Sequence, residues 1–198
     1  MSTTQTVTPT SEQTLDTYDL MDADQARGIV HACHRAFKHW RTTSHAERAG
    51  VLRAIASRLR EHTDELAELM TDETGKLVRD GRLEVELCAQ IFEYTAEHGP
   101  VELADEERTH NGGEKRGIVT YQPIGVIYSI QPWNFPIYQP VRVLAANLMA
   151  GNGVVLKHSS VCTGSGLRLR QICIDAGLPE NLFRVLIIDH DVSDDIIR

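Results

Sequence analysis

The sequence has 198 residues, 41% of them hydrophobic and 24% charged, an ordinary make-up for a folded chain and room for one large domain or one domain with part of a second. A net charge of −8 without a basic stripe argues against nucleic acid as a partner, and no stretch approaches the roughly 18 consecutive apolar residues of a membrane span. The acidic excess is confined to the first part: 14 basic and 22 acidic residues up to Arg116, against 6 and 6 from Gly117 onward.

Residues 1–20 read as a flexible tail, polar and Thr-rich from Met1 to Thr17. They lack the basic and apolar regions of a secretory signal, which suggests a cytoplasmic protein. Residues 21–106 read as helices. Asp22 or Asp24 caps the first, with Ile29, Val30, Cys33, Phe37 and Trp40 at helical spacing. Ser44 to Glu47 has the pattern of a capping box opening the second. Its apolar stripe is Val51, Leu52, Ile55 and Leu59, continued after a break by Leu66, Leu69 and Met70. The third helix is expected from about Leu83 to His98, with Leu83, Leu87, Ile91 and Tyr94 on one face and Gly99-Pro100 as its stop.

Residues 107–122 change in texture: a Gly-Gly turn signal, then a strand candidate from Arg116 to Gln122. From residue 123 the pattern alternates. Ile124 to Ile130 reads as a buried strand, Tyr138 to Met149 as a helix, Val154 to Leu156 as a second strand, Gly164 to Ala176 as a second helix and Phe183 to Ile188 as a third strand. This is β-α-β-α-β, half of a doubly wound nucleotide-binding sheet. Buried parallel strands need neighbours on both edges, so the domain looks unfinished.

The four cysteines, Cys33, Cys88, Cys162 and Cys173, are far apart and read as reduced and buried. Cys162 lies just before a helix N-terminus, a place that lowers a thiol pKa, but at the end of the second strand it is a poor nucleophile candidate. His31 and His34 stand three apart on a helix with no third metal ligand in view, and no metal is expected. Gly164-x-Gly166 lacks the third glycine of a dinucleotide fingerprint.

Two segments carry chemistry. Gln131 to Pro136 follows the first buried strand, at the carboxyl edge where open α/β sheets bind ligands. Its prolines stiffen it, so Asn134 could present an amide N–H to a developing oxyanion; alternatively this is a rigid turn with Trp133 and Phe135 in the core. Lys157 ends the second strand at the same edge, where it could reach a ribose hydroxyl or a phosphate, or else snorkel to the surface.

In order and spacing, Tyr121 to Ile127, Pro132 to Pro136, Ala150 to Lys157, Glu73 to Lys76, Tyr94 to Gly99 and Ala176 to Phe183 resemble the aldehyde dehydrogenase superfamily, and the likeness runs from about Asp22 to Arg198. Lys157-His158, where proline commonly follows the lysine, together with Asp189-His190-Asp191, looks most like the succinate-semialdehyde dehydrogenase branch. The resemblance implies a fold of N-terminal helices plus the first, incomplete part of a Rossmann-like NAD(P)-binding domain, with a pairing segment at 107–122 that joins subunits into a homodimer or homotetramer. It implies that Asn134 is the oxyanion-hole asparagine, that Lys157 holds the adenosine ribose, and that Ile130 and Trp133 line the cofactor cleft. Ser160 stands where NAD-preferring members often have a glutamate; serine would tolerate a 2′-phosphate, so NADP is expected beside NAD. Arg142 is matched to a substrate carboxylate.

The implied reaction is oxidation of an aldehyde to an acid through a cysteine thiolate, hydride transfer and thioester hydrolysis. The nucleophile, the general base and the pyrophosphate-binding segment have no counterpart in these residues, so the chain alone is expected to be inactive. The alternative is a non-enzymatic remnant or oligomerisation module. After the third strand, Asp189 to Ser193 replaces the family's usual glycines and is expected as a loop.

Overall fold

The computed structural model describes residues 2–113 and 115–197. Met1, Glu114 and Arg198, which belong to the expected tail, pairing segment and cofactor domain, lie outside the described residues.

The N-terminal segment departs from the expected loose tail. Thr3–Val7 (β1) and Thr14–Asp19 (β2) pair as an antiparallel hairpin. Its threonines, Val7 and Tyr18 have strand propensity, and one face is docked: Thr6 is buried, and Met21 N–H donates to Ile187 O at 2.8 Å. A polar composition suggests disorder only where nothing tertiary holds the segment.

Helix α1 (Ala23–Trp40) starts at a capping box. Asp22 Oδ1 accepts from Gln25 N–H at 2.8 Å, and Gln25 Oε1 accepts from Asp22 N–H at 3.0 Å. It buries Cys33, Phe37 and Trp40 and leaves His31 and His34 exposed. Ser44 and Glu47 form a second capping box opening α2 (His45–Glu61), which breaks at His62 before α3 (Thr63–Thr74). Gly75, at φ 72°, closes α3.

Helix α4 (Val78–Glu102) is longer than expected and presents another face. Leu83 and Tyr94 are 65% and 66% exposed, while Val85, Cys88, Ala89, Phe92 and Ala96 pack against α2 and α3. The helix is apolar on two sides, and the smaller residues win the crossing because helices can approach more closely there. Gly99-Pro100 does not stop it. A Cβ at Gly99 would stand 2.4 Å from Met149 Cγ, so that glycine serves close packing. Pro100 cannot donate to the Ala96 carbonyl; the Arg53 guanidinium donates to it instead, at 3.4 Å.

Glu106–His110 (β3) and Lys115–Val119 (β4) make a two-stranded antiparallel ribbon. The alternating region then follows: Val126–Gln131 (β5), Tyr138–Ala150 (α5), Gly153–His158 (β6), Thr163–Asp175 (α6), Phe183–Val185 (β7) and His190–Ile197 (α7). The three strands form a parallel sheet in the order β5-β6-β7, the expected β-α-β-α-β of an α/β domain. Central β6 is buried along its whole length. Val154 and Leu156 face the main core with α2, α4, α5 and α6, while Val155 faces α1 and α7. Helices therefore cover both faces, as buried parallel strands require.

Two details differ from expectation in the last segment. The third strand ends at Val185 rather than Ile188, although Leu186 N–H still donates to Leu156 O at 2.8 Å. Residues 190–193 are not a loop but the start of α7, whose first turn is capped by the preceding Asp189, its Oδ1 accepting from Val192 N–H at 2.9 Å.

Candidate active site

Strands β5 and β6 run in register up to Gln131 opposite His158, so the loops that follow leave the sheet at the same carboxyl edge. Ser159 N–H donates to Gln131 O at 3.0 Å. His158 Nε2 donates to Pro136 O at 2.8 Å, and its Nδ1 accepts from Ser159 N–H at 2.9 Å. That partner set requires the neutral ring with the proton on Nε2. Burial pushes the His158 pKa below the ordinary histidine value, against the opposing pull of its hydrogen bonds to backbone.

The far end of the 131–137 loop is held from below by α4. Glu84 Oε1 accepts from the N–H groups of Ile137 and Tyr138 at 2.8 and 2.9 Å, satisfying the amides at the start of α5. Its other oxygen is paired with Lys76, whose ammonium lies 4.1 Å from the Phe135 ring centroid. Between these anchors Asn134 is exposed and Trp133 is 54% exposed. Trp133 and Phe135 are thus surface residues on a pinned loop and not core. Asn134 is presented to solvent on a segment fixed at both shoulders, the arrangement an oxyanion donor needs.

Lys157, the penultimate residue of β6, pairs in register with Ile130, which is 52% exposed. Lys157 does not snorkel to the surface: it is 9% exposed and forms no salt bridge among the described residues. With Ser160, the first residue of a 3-10 turn at Ser160–Cys162, it lines a cavity of about 230 Å³ closed by residues 185–190 and by Thr3, Thr4 and Leu20 of the hairpin. Arg142 stands apart from this cavity. It lies on the exposed side of α5, its guanidinium carbon 5.6 Å from the Tyr138 ring centroid, beside a hollow of about 250 Å³ shared with Gln131, Gln139 and Val143.

Cys162 is fully buried, with Sγ 3.2 Å from His158 Nδ1, and burial pushes its thiol pKa up. A thiol held protonated and out of solvent is no nucleophile. Burial also raises the other three thiols, Cys33 to about 12. The start of α6 has its own buried carboxylate. Glu73 accepts from the N–H of Gly164 at 2.8 Å, and from the N–H and hydroxyl of Ser165 at 3.0 and 2.6 Å. Burial nonetheless moves the Glu73 pKa upward.

Both crossover helices are therefore capped by carboxylates from the helical segment, Glu84 on α5 and Glu73 on α6. The sequence reading attached no role to Glu73, Lys76 or Glu84. The signal for Glu84 was its spacing from Gly81, Val85, Cys88 and Phe92, which puts a lone acid on a buried helical face.

The aldehyde dehydrogenase family model matches residues 1–198. The chain belongs to the aldehyde dehydrogenase family. Among curated relatives it is 38% identical, over 183 residues, to a succinate-semialdehyde dehydrogenase (NADP(+)) of Deinococcus radiodurans, covering 92% of this chain and 38% of that one. A succinate-semialdehyde dehydrogenase (NADP(+)) of Mycobacterium avium is 35% identical over 195 residues, covering 98% of this chain and 41% of its own. The succinic semialdehyde dehydrogenase of Streptococcus pyogenes, solved in complex with NADP+, superposes with a TM-score of 0.92 at 33% identity, over 98% of this chain and 42% of that one. The chain thus spans about two-fifths of the length of these relatives. Among the described residues, no helix is long and apolar enough to cross a membrane.

Proposed function

We propose that this aldehyde dehydrogenase chain supplies the adenosine side of a nicotinamide cofactor site and the oxyanion donor for oxidising a small carboxylate-bearing aldehyde of the succinate-semialdehyde type. The observation that carries the reading is Lys157: a lysine only 9% exposed, with no salt-bridge partner among the described residues, lining a cavity at the carboxyl edge of the sheet. Leaving such a cation unpaired is costly unless a ligand anion or hydroxyl completes it. Ribose hydroxyls and a 2′-phosphate fit that need, and Ser160 adds a hydroxyl without the charge that would repel a phosphate. NADP and NAD are both accommodated on this reading, with the relatives' NADP use supporting the former.

A cofactor held at Lys157 and Ser160 would supply a hydride acceptor for the oxidation of the aldehyde carbon. Asn134 would donate its amide N–H to the carbonyl oxygen as negative charge gathers there, a contribution of about 3–4 kcal/mol for one such donor. Ile130 and Trp133 would line the cleft between the two ligands, and Arg142 would meet the far carboxylate of the substrate. The exposed apolar side chains Ile118, Val119 and Tyr121 on and beside the β3–β4 ribbon support a pairing surface for a second copy of the chain.

The test is titration of the chain with NADP+ and NAD+, read by Trp133 emission and by thermal melting. A ligand at ten times its Kd adds about 1.4 kcal/mol, and Lys157→Ala should abolish the shift. If neither cofactor at millimolar concentration moves the melt or the emission, the cofactor reading fails.

A further inference from the structure

The N-terminal hairpin closes one side of the cavity that holds Lys157, and no chemical role has yet been given to its residues. Its base is clamped to the end of the third strand by Met21 N–H donating to Ile187 O at 2.8 Å. Strand β1 packs against the 3-10 turn that carries Ser160. The docking is built in from the other side too. A Cβ at Gly164 would stand 2.8 Å from Glu73 Oε1 and 3.1 Å from Tyr18 Oη, so the glycine lets Glu73 and the hairpin's tyrosine both sit close against the start of α6.

Alternation along β1 puts Thr4 on the same face as the buried Thr6, that is, inward. Thr4 lines the cavity together with Lys157, Ser160, Thr163 and His190. The Thr163 hydroxyl donates to Ser160 O at 3.2 Å, which leaves the Thr4 and Ser160 hydroxyls on the lining shared with Lys157; hydroxyl donors and an ammonium lining one cavity suit a phosphate monoester, which offers several acceptor oxygens and two charges. The carboxylate that faces this cavity, Asp189, is engaged with Val192 N–H at 2.9 Å.

We infer that the hairpin is a wall of the adenosine pocket, and that the Thr4 hydroxyl helps the site discriminate a 2′-phosphorylated adenosine from an unphosphorylated one. The inference rests on the cofactor reading above and extends it to a segment that composition alone marks as a tail.

The test is calorimetric titration of the full chain and of Thr4→Val with 2′,5′-ADP, 5′-AMP and inorganic phosphate. Valine matches threonine in shape, and circular dichroism of both proteins checks that the fold is kept. The original chain should prefer 2′,5′-ADP to 5′-AMP. Thr4→Val should weaken 2′,5′-ADP roughly 3- to 10-fold, the range for one hydrogen bond, and leave 5′-AMP unchanged. Unchanged affinity for 2′,5′-ADP, or an equal loss for both nucleotides, overturns the inference and leaves the cofactor reading standing. Inorganic phosphate binding as tightly as 2′,5′-ADP overturns the adenosine assignment in favour of a simple anion site. Binding of none of the three by the original chain overturns the cofactor reading and the inference together.

Discussion

The Glu84 carboxylate accepts the Ile137 amide at 2.8 Å across 53 residues of sequence, tying the middle of a helical segment to the loop that carries Asn134. The Glu84 side chain is only 1% exposed, so its charge, its partner Lys76 and two helix-start amides depend on one another. Removing one partner of a buried pair strands the other. Glu84→Ala should therefore cost about 3–5 kcal/mol. Glu84→Gln keeps an acceptor for the amides but leaves Lys76 unpaired, and should fall between Glu84→Ala and the original chain. Urea denaturation midpoints at pH 7 measure both, and equal stability of Glu84→Ala and the original chain would remove Glu84 as the anchor of the loop.

His158 gives the fold a pH dependence of known sign. Its folded pKa lies below the ordinary value near 6.5 because burial disfavours the cation. At neutral pH neither state binds the proton. As pH falls below about 6.5 the unfolded chain takes it up first, so stability drops by up to about 1.4 kcal/mol per pH unit until the folded pKa is reached. Glu73, whose folded pKa is raised, works in the opposite sense: it favours the fold at low pH and loses that advantage as pH rises through its folded pKa. The comparison that isolates His158 is with His158→Gln, which keeps a donor for Pro136 and does not titrate. Between pH 8 and pH 5 the original chain should lose stability more steeply than the variant. A constant difference across that range would mean His158 titrates normally.

The strand–helix alternation from residue 123 was legible because helical spacing and short apolar runs alternate there, punctuated by Gly151-Asn152-Gly153 and Gly177-Leu178-Pro179. The capping box at Ser44 was legible locally, as was a cap at Asp22 or Asp24, of which the structure uses Asp22. What escaped depends on tertiary contacts. Nothing local distinguishes the two apolar sides of α4, and only the crossing with α2 and α3 selects the one with small residues. The hairpin at residues 3–19 is mostly polar and is ordered by what it docks against. At the site, the positions of Asn134 and Lys157 followed from their place after buried strands. Glu73 and Glu84 did not, because a carboxylate that caps a distant helix looks locally like any other acid on a helix.

The β3–β4 ribbon should behave as a pairing surface. Ile118 is well exposed on a strand whose two sides are otherwise open among the described residues. A charge there should oppose the burial of apolar area that association requires. Sedimentation of the chain at tens of micromolar should show a dimer or larger species, and Ile118→Glu should shift it to monomer. Monomers in both cases would assign the ribbon no part in self-association.

Gly164 decides whether the hairpin stays docked. An alanine there brings its Cβ to 2.8 Å from Glu73 Oε1 and 3.1 Å from Tyr18 Oη. Glu73 cannot retreat without releasing the Gly164 and Ser165 amides that it satisfies, so the tyrosine and its hairpin are the part that can yield. Overpacking of this kind costs about 1–3 kcal/mol, but the more telling readout is local. In Gly164→Ala, amide exchange should accelerate in residues 3–7 and 14–19 while the amides of β6 keep their protection, because Gly164 sits in the first turn of α6, outside the side chains that pack on β6 from its two helical layers. Uniform acceleration would mean that the hairpin and sheet unfold as one unit. No acceleration would mean that the Tyr18 contact at Gly164 is not what docks the hairpin.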